Sequence, residues 1–344
     1  MARSKPAPRL LKGKHDGQRT TWVNVSAAWY NVRAGTSEGQ IMIAADETFD
    51  GTWPHPARFC TASGFRQHYV DLGSGRPVVL LHGQPTWGYI YRRFIAPLAG
   101  SHRVIIPDHM GFGKSETPDD REYTLSTHVA NLTSLIETLD LRDITLVMQD
   151  WGGPIGIGFA VRHAARIHSL VFMNTVCGYG TSGRRDLPNP IETPWFRWIR
   201  EGLPTGRTEA VLSNLGSTIL SVMQIVGLER LDRVDPTFIR AYGAPFPTPA
   251  DCKGAIEFPL DLALGRIRDF VRAGVAGVPA LKDKPAILIE GMLDRAIPPA
   301  LAIADFRGLW PEGTVIEVPA AGHYIQEDSP EVAIAAIQAF LGTI

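Results

Sequence analysis

Three residues of this chain have the types and the order needed for a two-stage displacement. Met148-Gln149-Asp150-Trp151-Gly152-Gly153 joins the apolar run ITLVM directly to the Gly-rich stretch GGPIGIGFAVRHA. A strand that turns sharply into a helix lifts the side chain at the turn above the sheet, and small residues after it let the helix approach closely. The lifted side chain here is Asp150. An aspartate before a helix is also a common N-cap that satisfies free backbone N–H groups, and the motif alone favours that plainer role. Met148 is larger than the small residue usual two positions before a nucleophile on such a turn. What outweighs both points is that an acid and a histidine follow in the order nucleophile, acid, base. A carboxylate attacking a carbonyl gives a labile anhydride, whereas on an sp³ carbon it displaces a leaving group and forms an ester. The expected electrophile is therefore an alkyl carbon.

The base is expected at His323, in Ala321-Gly322-His323-Tyr324, after the strand-like run TVIEVP and before EDSPEVAIAAIQAFL, which reads as a capped helix. Loops beyond strands carry catalytic groups because a rigid sheet positions them. The other nine histidines carry the default of structural or surface roles. The third member is a carboxylate that orients His323 and stabilises its imidazolium. Asp294, in Gly291-Met292-Leu293-Asp294-Arg295 just past the run AILIE, is the first choice, and Glu290 at the end of that run competes with it. SLVFMNTV ends in Asn174 and Thr175, neither of which is an acid.

Strands and helices must hold these groups. FRQHYVDL alternates, PVVLLHG and RVIIPD are short apolar runs, and ITLVMQ, SLVFMN, AILIEG and TVIEVP continue the series. Between them lie segments such as Thr124 to Leu141, with apolar residues at three- and four-residue spacing. Alternation of this kind predicts an α/β fold, doubly wound, with a mostly parallel sheet covered on both faces. It fails between about Val176 and Ala276, where a Pro-, Trp- and Arg-rich stretch leads into helical segments. An inserted helical cap over residues 176–276 is expected, seated over the carboxyl ends of the strands and excluding water. The core then comprises residues 58–175 and 277–344. Residues 1–57 lack periodicity and read as an N-terminal extension, partly ordered at best.

A chain of 344 residues accommodates one enlarged α/β domain. The formal net charge of −1 argues against nucleic acid or a polybasic membrane surface as partner, and for a small neutral one. Cys60, Cys177 and Cys252 are scattered and odd in number, which indicates neither a zinc site nor a disulfide framework. The basic start has no apolar stretch long enough for a signal peptide or membrane span, so a cytoplasmic location is expected. No metal or other cofactor is expected, since Gly113-Lys114-Ser115 lacks the earlier glycine of a phosphate-binding loop. Oligomeric state is not readable.

His82-Gly83-Gln84-Pro85-Thr86-Trp87, Pro107-Asp108-His109-Met110-Gly111-Phe112-Gly113-Lys114-Ser115, the Gln149-to-Gly153 turn and the Gly322-His323 loop together resemble the haloalkane dehalogenase family of α/β-hydrolases, over roughly Phe65 to Ile344. That resemblance implies that Trp151 donates its indole N–H to the leaving halide, aided by a second donor at Gln84, and that the backbone N–H groups of Gln84 and Trp151 form an oxyanion hole. Gln84 departs from the family, where Asn or an acidic residue is common and a cap tryptophan serves in the latter case. Trp198, or Trp195, is a candidate for that tryptophan, and Phe246 resembles a cap phenylalanine lining the family's pocket. The implied partners are a small apolar halogenated substrate, water and halide. Three alternatives stand beside this reading. An epoxide hydrolase would use cap tyrosines such as Tyr179 and Tyr242, a β-lactone-processing relative would act on a strained ring, and a noncatalytic binding protein on the same fold would have lost a triad member.

Overall fold

The computed structural model describes residues 43–181 and 190–344. Eight strands, β1 (Arg58–Cys60), β2 (Gln67–Leu72), β3 (Pro77–Leu81), β4 (Arg103–Pro107), β5 (Ile144–Gln149), β6 (Ile167–Met173), β7 (Ala286–Gly291) and β8 (Thr314–Val318), form one sheet. Their order is β1-β2-β4-β3-β5-β6-β7-β8. β2 runs antiparallel to β1 and β4, and every other pairing is parallel. The seven runs read from the sequence as strands correspond to β2 to β8. β1 was not foreseen, because a three-residue edge strand is too short to show a period and forms only by pairing with β2.

Position in the sheet explains the strand compositions. β3, β5 and β7 are buried at every residue, as parallel strands covered on both faces must be, whereas the edge strand β8 keeps exposed and half-buried residues. Helices α1 (Arg92–Ala99), α2 (Leu125–Thr138) and α3 (Gly152–Ala160) follow β3, β4 and β5. Thr124 caps α2, its hydroxyl accepting from Thr127 N–H at 3.3 Å.

Between β6 and β7 the described residues form no strand. They fold as α4 (Pro194–Gly202), α5 (Arg207–Leu212), α6 (Leu215–Val226), α7 (Pro236–Gly243), α8 (Lys253–Ala263) and α9 (Arg268–Gly274), with short 3₁₀ turns. α10 (Pro299–Leu309), α11 (Ile325–Asp328) and α12 (Pro330–Leu341) complete the chain, and α12 packs on β7 and α1. The run EDSPEVAIAAIQAFL is not one capped helix. α12 starts at Pro330, Ser329 makes no side-chain cap, and Asp328 instead accepts from the backbone N–H groups of Gly322, Glu229 and Arg230.

Of the segment read as an extension, residues 1–42 lie outside the described residues. In residues 43–57, Ile43, Phe49 and Trp53 are buried in the main core, while most of the others are exposed. No helix among the described residues is long and apolar enough to cross a membrane.

Candidate active site

Five strand ends meet at the same edge of the sheet. β3 leads into Gly83-Gln84, β5 into Asp150, β6 into Asn174-Thr175, β7 into Asp294, and β8 into the loop of His323. Asp150 has φ +49°, the left-handed conformation of a sharp strand-to-helix turn. The glycines around it are required by contact. A Cβ on Gly83 would stand 2.2 Å from Asp150 Oδ1, and one on Gly152 would stand 2.2 Å from the Leu81 carbonyl oxygen. Gly156 accounts for the bulk of Met148, since a Cβ there would lie 2.5 Å from Met148 Sδ.

The carboxylate of Asp150 lies between two partners. Gln84 backbone N–H donates to Oδ1 at 2.7 Å, and His323 Nε2 is 3.4 Å from Oδ2. On its other side His323 meets Asp294, with Nδ1 2.8 Å from Oδ2. Asp294 is fixed in turn by Ala296 and Ile297, whose N–H groups donate to Oδ1 at 2.8 and 2.9 Å. Burial alone would depress the His323 imidazole, but the charge of Asp294, the contact with Asp150 and the hydrogen bond to Asp294 carry its pKa up to about 10. Asp150, Asp294 and His323 are thus brought together as the sequence order requires.

Glu290 is fully buried in β7 and makes no hydrogen bond to His323. Burial, then repulsion from Asp294, pushes its carboxyl well above the usual range. A carboxyl kept neutral is a poor partner for an imidazolium, so geometry and charge both favour Asp294 as the group that holds the ring.

Two residues set aside in the sequence because they are not acids take part. Asn174 Nδ2 donates to Asp294 Oδ2 at 3.0 Å and to Gly291 O at 3.2 Å, and Asn174 Oδ1 accepts from Gly291 N–H at 3.0 Å. Thr175 hydroxyl donates to the Asp150 carbonyl at 2.6 Å. Their position at a strand end beside the nucleophile was the available signal; their uncharged side chains hid it.

Trp151 is buried beside the nucleophile, its ring stacked on Phe258 of α8 with centroids 4.8 Å apart and planes at 10°. Gln84 Nε2 donates one proton to the Ala255 carbonyl of the same helix at 3.1 Å, which leaves its second proton for another acceptor. Phe246 reaches this cluster through Phe112, which it meets edge-on at 6.1 Å and which stacks on Phe258 at 5.1 Å. The ring of Trp198 stacks on that of Trp195, with centroids 5.5 Å apart. Phe258 was missed because an aromatic residue on an amphipathic helix reads as ordinary core.

Of the remaining histidines, His68 pairs with buried Asp108 at 2.7 Å, and His82 donates from Nδ1 to Gly83 O while Nε2 accepts from His109 N–H. Burial depresses His82, His109 and His128, and the last falls to about 3. Neutral imidazoles of this kind support the loops around Gln84.

Residues 76–330 match the model of the α/β hydrolase fold family. Haloalkane dehalogenase 1 of Mycobacterium tuberculosis is 39% identical over 298 residues, covering 77% of this chain and 89% of that protein. A cis-3-alkyl-4-alkyloxetan-2-one decarboxylase of Shewanella oneidensis is 33% identical over 299 residues, covering 85% of this chain and 90% of its own. Among solved structures, the tetrameric haloalkane dehalogenase DpaA of Paraglaciecola agarilytica superposes with a TM-score of 0.69 at 29% identity, over 83% of this chain and 92% of that one.

Proposed function

The chain belongs to the haloalkane dehalogenase family of the α/β-hydrolase superfamily and is a hydrolase, and from that premise we propose that it cleaves the carbon–halogen bond of small haloalkanes through an ester on Asp150. The observation that carries this reading is the setting of the carboxylate, with Oδ1 held by the Gln84 N–H and Oδ2 facing His323.

In the first stage an Asp150 oxygen bonds to the alkyl carbon while the carbon–halogen electron pair leaves as halide, toward the N–H donors of Trp151 and Gln84. In the second, water attacks the ester carbonyl, His323 takes its proton, and the backbone N–H groups of Gln84 and Trp151 stabilise the oxyanion. The bond from the carbonyl carbon to the alkoxy oxygen breaks, the alcohol leaves protonated, and the carboxylate returns. Water and haloalkane become alcohol, halide and a proton.

The elevated pKa of His323 fits this order. Asp150 and Asp294 together hold the ring as imidazolium in the free enzyme. Esterification neutralises Asp150 and removes part of that support, so the ring releases its proton to solvent, the proton of the overall reaction, before it takes one from the attacking water. The helices between β6 and β7 act as the cap that keeps the site dry, with Phe246 and Phe258 as apolar lining; residues 176–276 remain our bounds for it.

A second reading has its own support. The oxetanone decarboxylase relative covers most of this chain, and a carboxylate aimed at an alkyl carbon also suits a strained β-lactone. A panel of 1-haloalkanes, epoxides and β-lactones, scored for halide, diol and alkene, tests both. Halide release that is lost in Asp150→Ala supports dehalogenation; turnover of β-lactone to alkene without any halide release from the haloalkanes would replace it.

A further inference from the structure

We propose that the segment Ile43–Trp53 is a positioning strap for the loop that bears Gln84, with Trp53 as its main positioning residue. The inference rests on the reading that the Gln84 N–H serves the Asp150 ester.

The loop Gly83–Gly88 is held at both ends. At one end Gly83 lies against Asp150, and the Thr86 N–H and hydroxyl both donate to Gly83 O, at 3.1 and 3.0 Å. At the other end the anchor is Trp87, three residues past Gln84 and fully buried. Its indole N–H donates to Ala241 O of α7 at 2.8 Å, and its ring lies against Phe49 and Trp53, which meet it edge-on at 5.7 and 5.3 Å. One wall of the anchor is therefore built by the strap.

The strap is fastened independently along its length. The buried ammonium of Lys114 donates to the carbonyls of Ala45 and Glu47, each at 2.9 Å. Thr52 and Tyr89 hydroxyls are hydrogen-bonded at 2.8 Å, and Asp50 accepts from Thr237 and Arg240 of α7 at 2.5 and 2.7 Å. Such fastening at three points is more than is needed to cover an apolar patch. It fixes the ring that fixes the loop, and it ties the same ring to α7.

The chemical consequence is selective. Carbon–halogen cleavage draws on the side chains of Gln84 and Trp151, and the Gln84 amide is also held from α8 through Ala255 O, so a slack loop affects that stage less. Hydrolysis of the ester builds an oxyanion that the Gln84 N–H must meet at hydrogen-bond distance, and a misplaced donor slows that stage. Loosening the strap should therefore shift the rate limit to the second stage.

The test uses the full-length enzyme and 1-bromobutane, comparing wild type with Trp53→Ala, Trp53→Phe and Lys114→Met. Halide release is followed in the first turnover, kcat at steady state, and the alkylated protein by intact mass. The expected result for Trp53→Ala is a halide burst near one per site, a kcat lower by about tenfold, short of the roughly 10²–10³-fold loss of removing an oxyanion donor outright, and accumulation of the butyl-enzyme. Trp53→Phe should restore much of kcat, since the Trp53 indole N–H meets no acceptor among the described residues and the aromatic wall is kept. Lys114→Met, which leaves the aromatic rings in place, should show the same pattern more weakly and carries the test if Trp53→Ala does not fold. Burst rate and kcat falling in equal proportion, or unchanged kinetics with only a lower melting temperature, would overturn the proposal. Failure of wild type and His323→Phe alike to form any butyl-enzyme would overturn the dehalogenase reading beneath it.

Discussion

The loops at the carboxyl edge of the sheet and the helices between β6 and β7 touch the same reacting groups in different ways. The edge loops supply all three members of the proposed triad, each anchored by backbone bonds at a strand end: Asp150 under Gln84 N–H, Asp294 under Ala296 and Ile297 N–H, His323 on the loop whose Gly322 N–H donates to Asp328. The helices contribute single contacts from packed faces, namely Ala255 O on Gln84 and the Phe258 ring on Trp151, and the turn after α6 sets Gly227 against His323. A group whose place follows from topology can be exchanged only with loss of chemistry. One whose place follows from packing tunes that chemistry.

Substitutions should rank accordingly. Asp150→Ala removes the nucleophile and should abolish turnover, by at least about 10⁴-fold in kcat, as loss of a covalent catalyst does. The protein should stay folded, because an alanine at φ +49° costs only about 1–2 kcal/mol. Circular dichroism beside a halide assay checks both, and measurable turnover by a folded Asp150→Ala protein would remove this residue from the account.

Asp294→Asn should lower kcat by about 10²–10⁴-fold, since the amide leaves His323 without the charge that orients and stabilises its imidazolium. Glu290→Gln should change kcat by less than about threefold, because a carboxyl already neutral gives up no charge. Kinetics of the two variants with one haloalkane decides between them, and the reverse ranking would move the acid to Glu290.

Gln84→Ala probes the helical side. It keeps the backbone N–H on Asp150 but removes the side-chain donor and leaves Ala255 O without its partner. We expect carbon–halogen cleavage to slow by about tenfold and stability to fall by about 1–3 kcal/mol. Stopped-flow halide release and urea melts measure the two effects. Unchanged cleavage would pass the role of second donor to another residue, with Trp198 the first to test.

These expectations also mark what was legible in the sequence. The meeting of Asp150, Asp294 and His323 was readable because a parallel sheet presents side chains after its strand ends, and apolar runs reveal those ends. Asn174 was set aside because it is not an acid, although its amide spans Gly291 and Asp294 and so fixes the separation of two strand ends. The strap looked unstructured because its order comes from contacts with distant residues such as Lys114 and Trp87, which no local period encodes. Phe258 and Trp198 could not be ranked, since a pocket-lining aromatic and a packing aromatic have the same helical spacing.

A further predicted effect is on stability against pH. The His323 pKa is raised from 6.5 to about 10 in the folded protein. The stabilisation it brings is full below its unfolded value and is lost as pH rises through the folded one. The urea midpoint of wild type relative to His323→Phe should therefore shrink between about pH 6.5 and pH 10. A difference that does not change over that range would mean the ring is neutral in the free enzyme.

His323→Phe also gives the most direct test of the central claim, that Asp150 is alkylated and that His323 acts only afterwards. With an excess of 1-bromobutane the variant should release one bromide per site and then stop. Its intact mass should rise by one butyl group, localised to the peptide that contains Asp150. Absence of bromide release, or repeated turnover without an adduct on that peptide, would contradict the account.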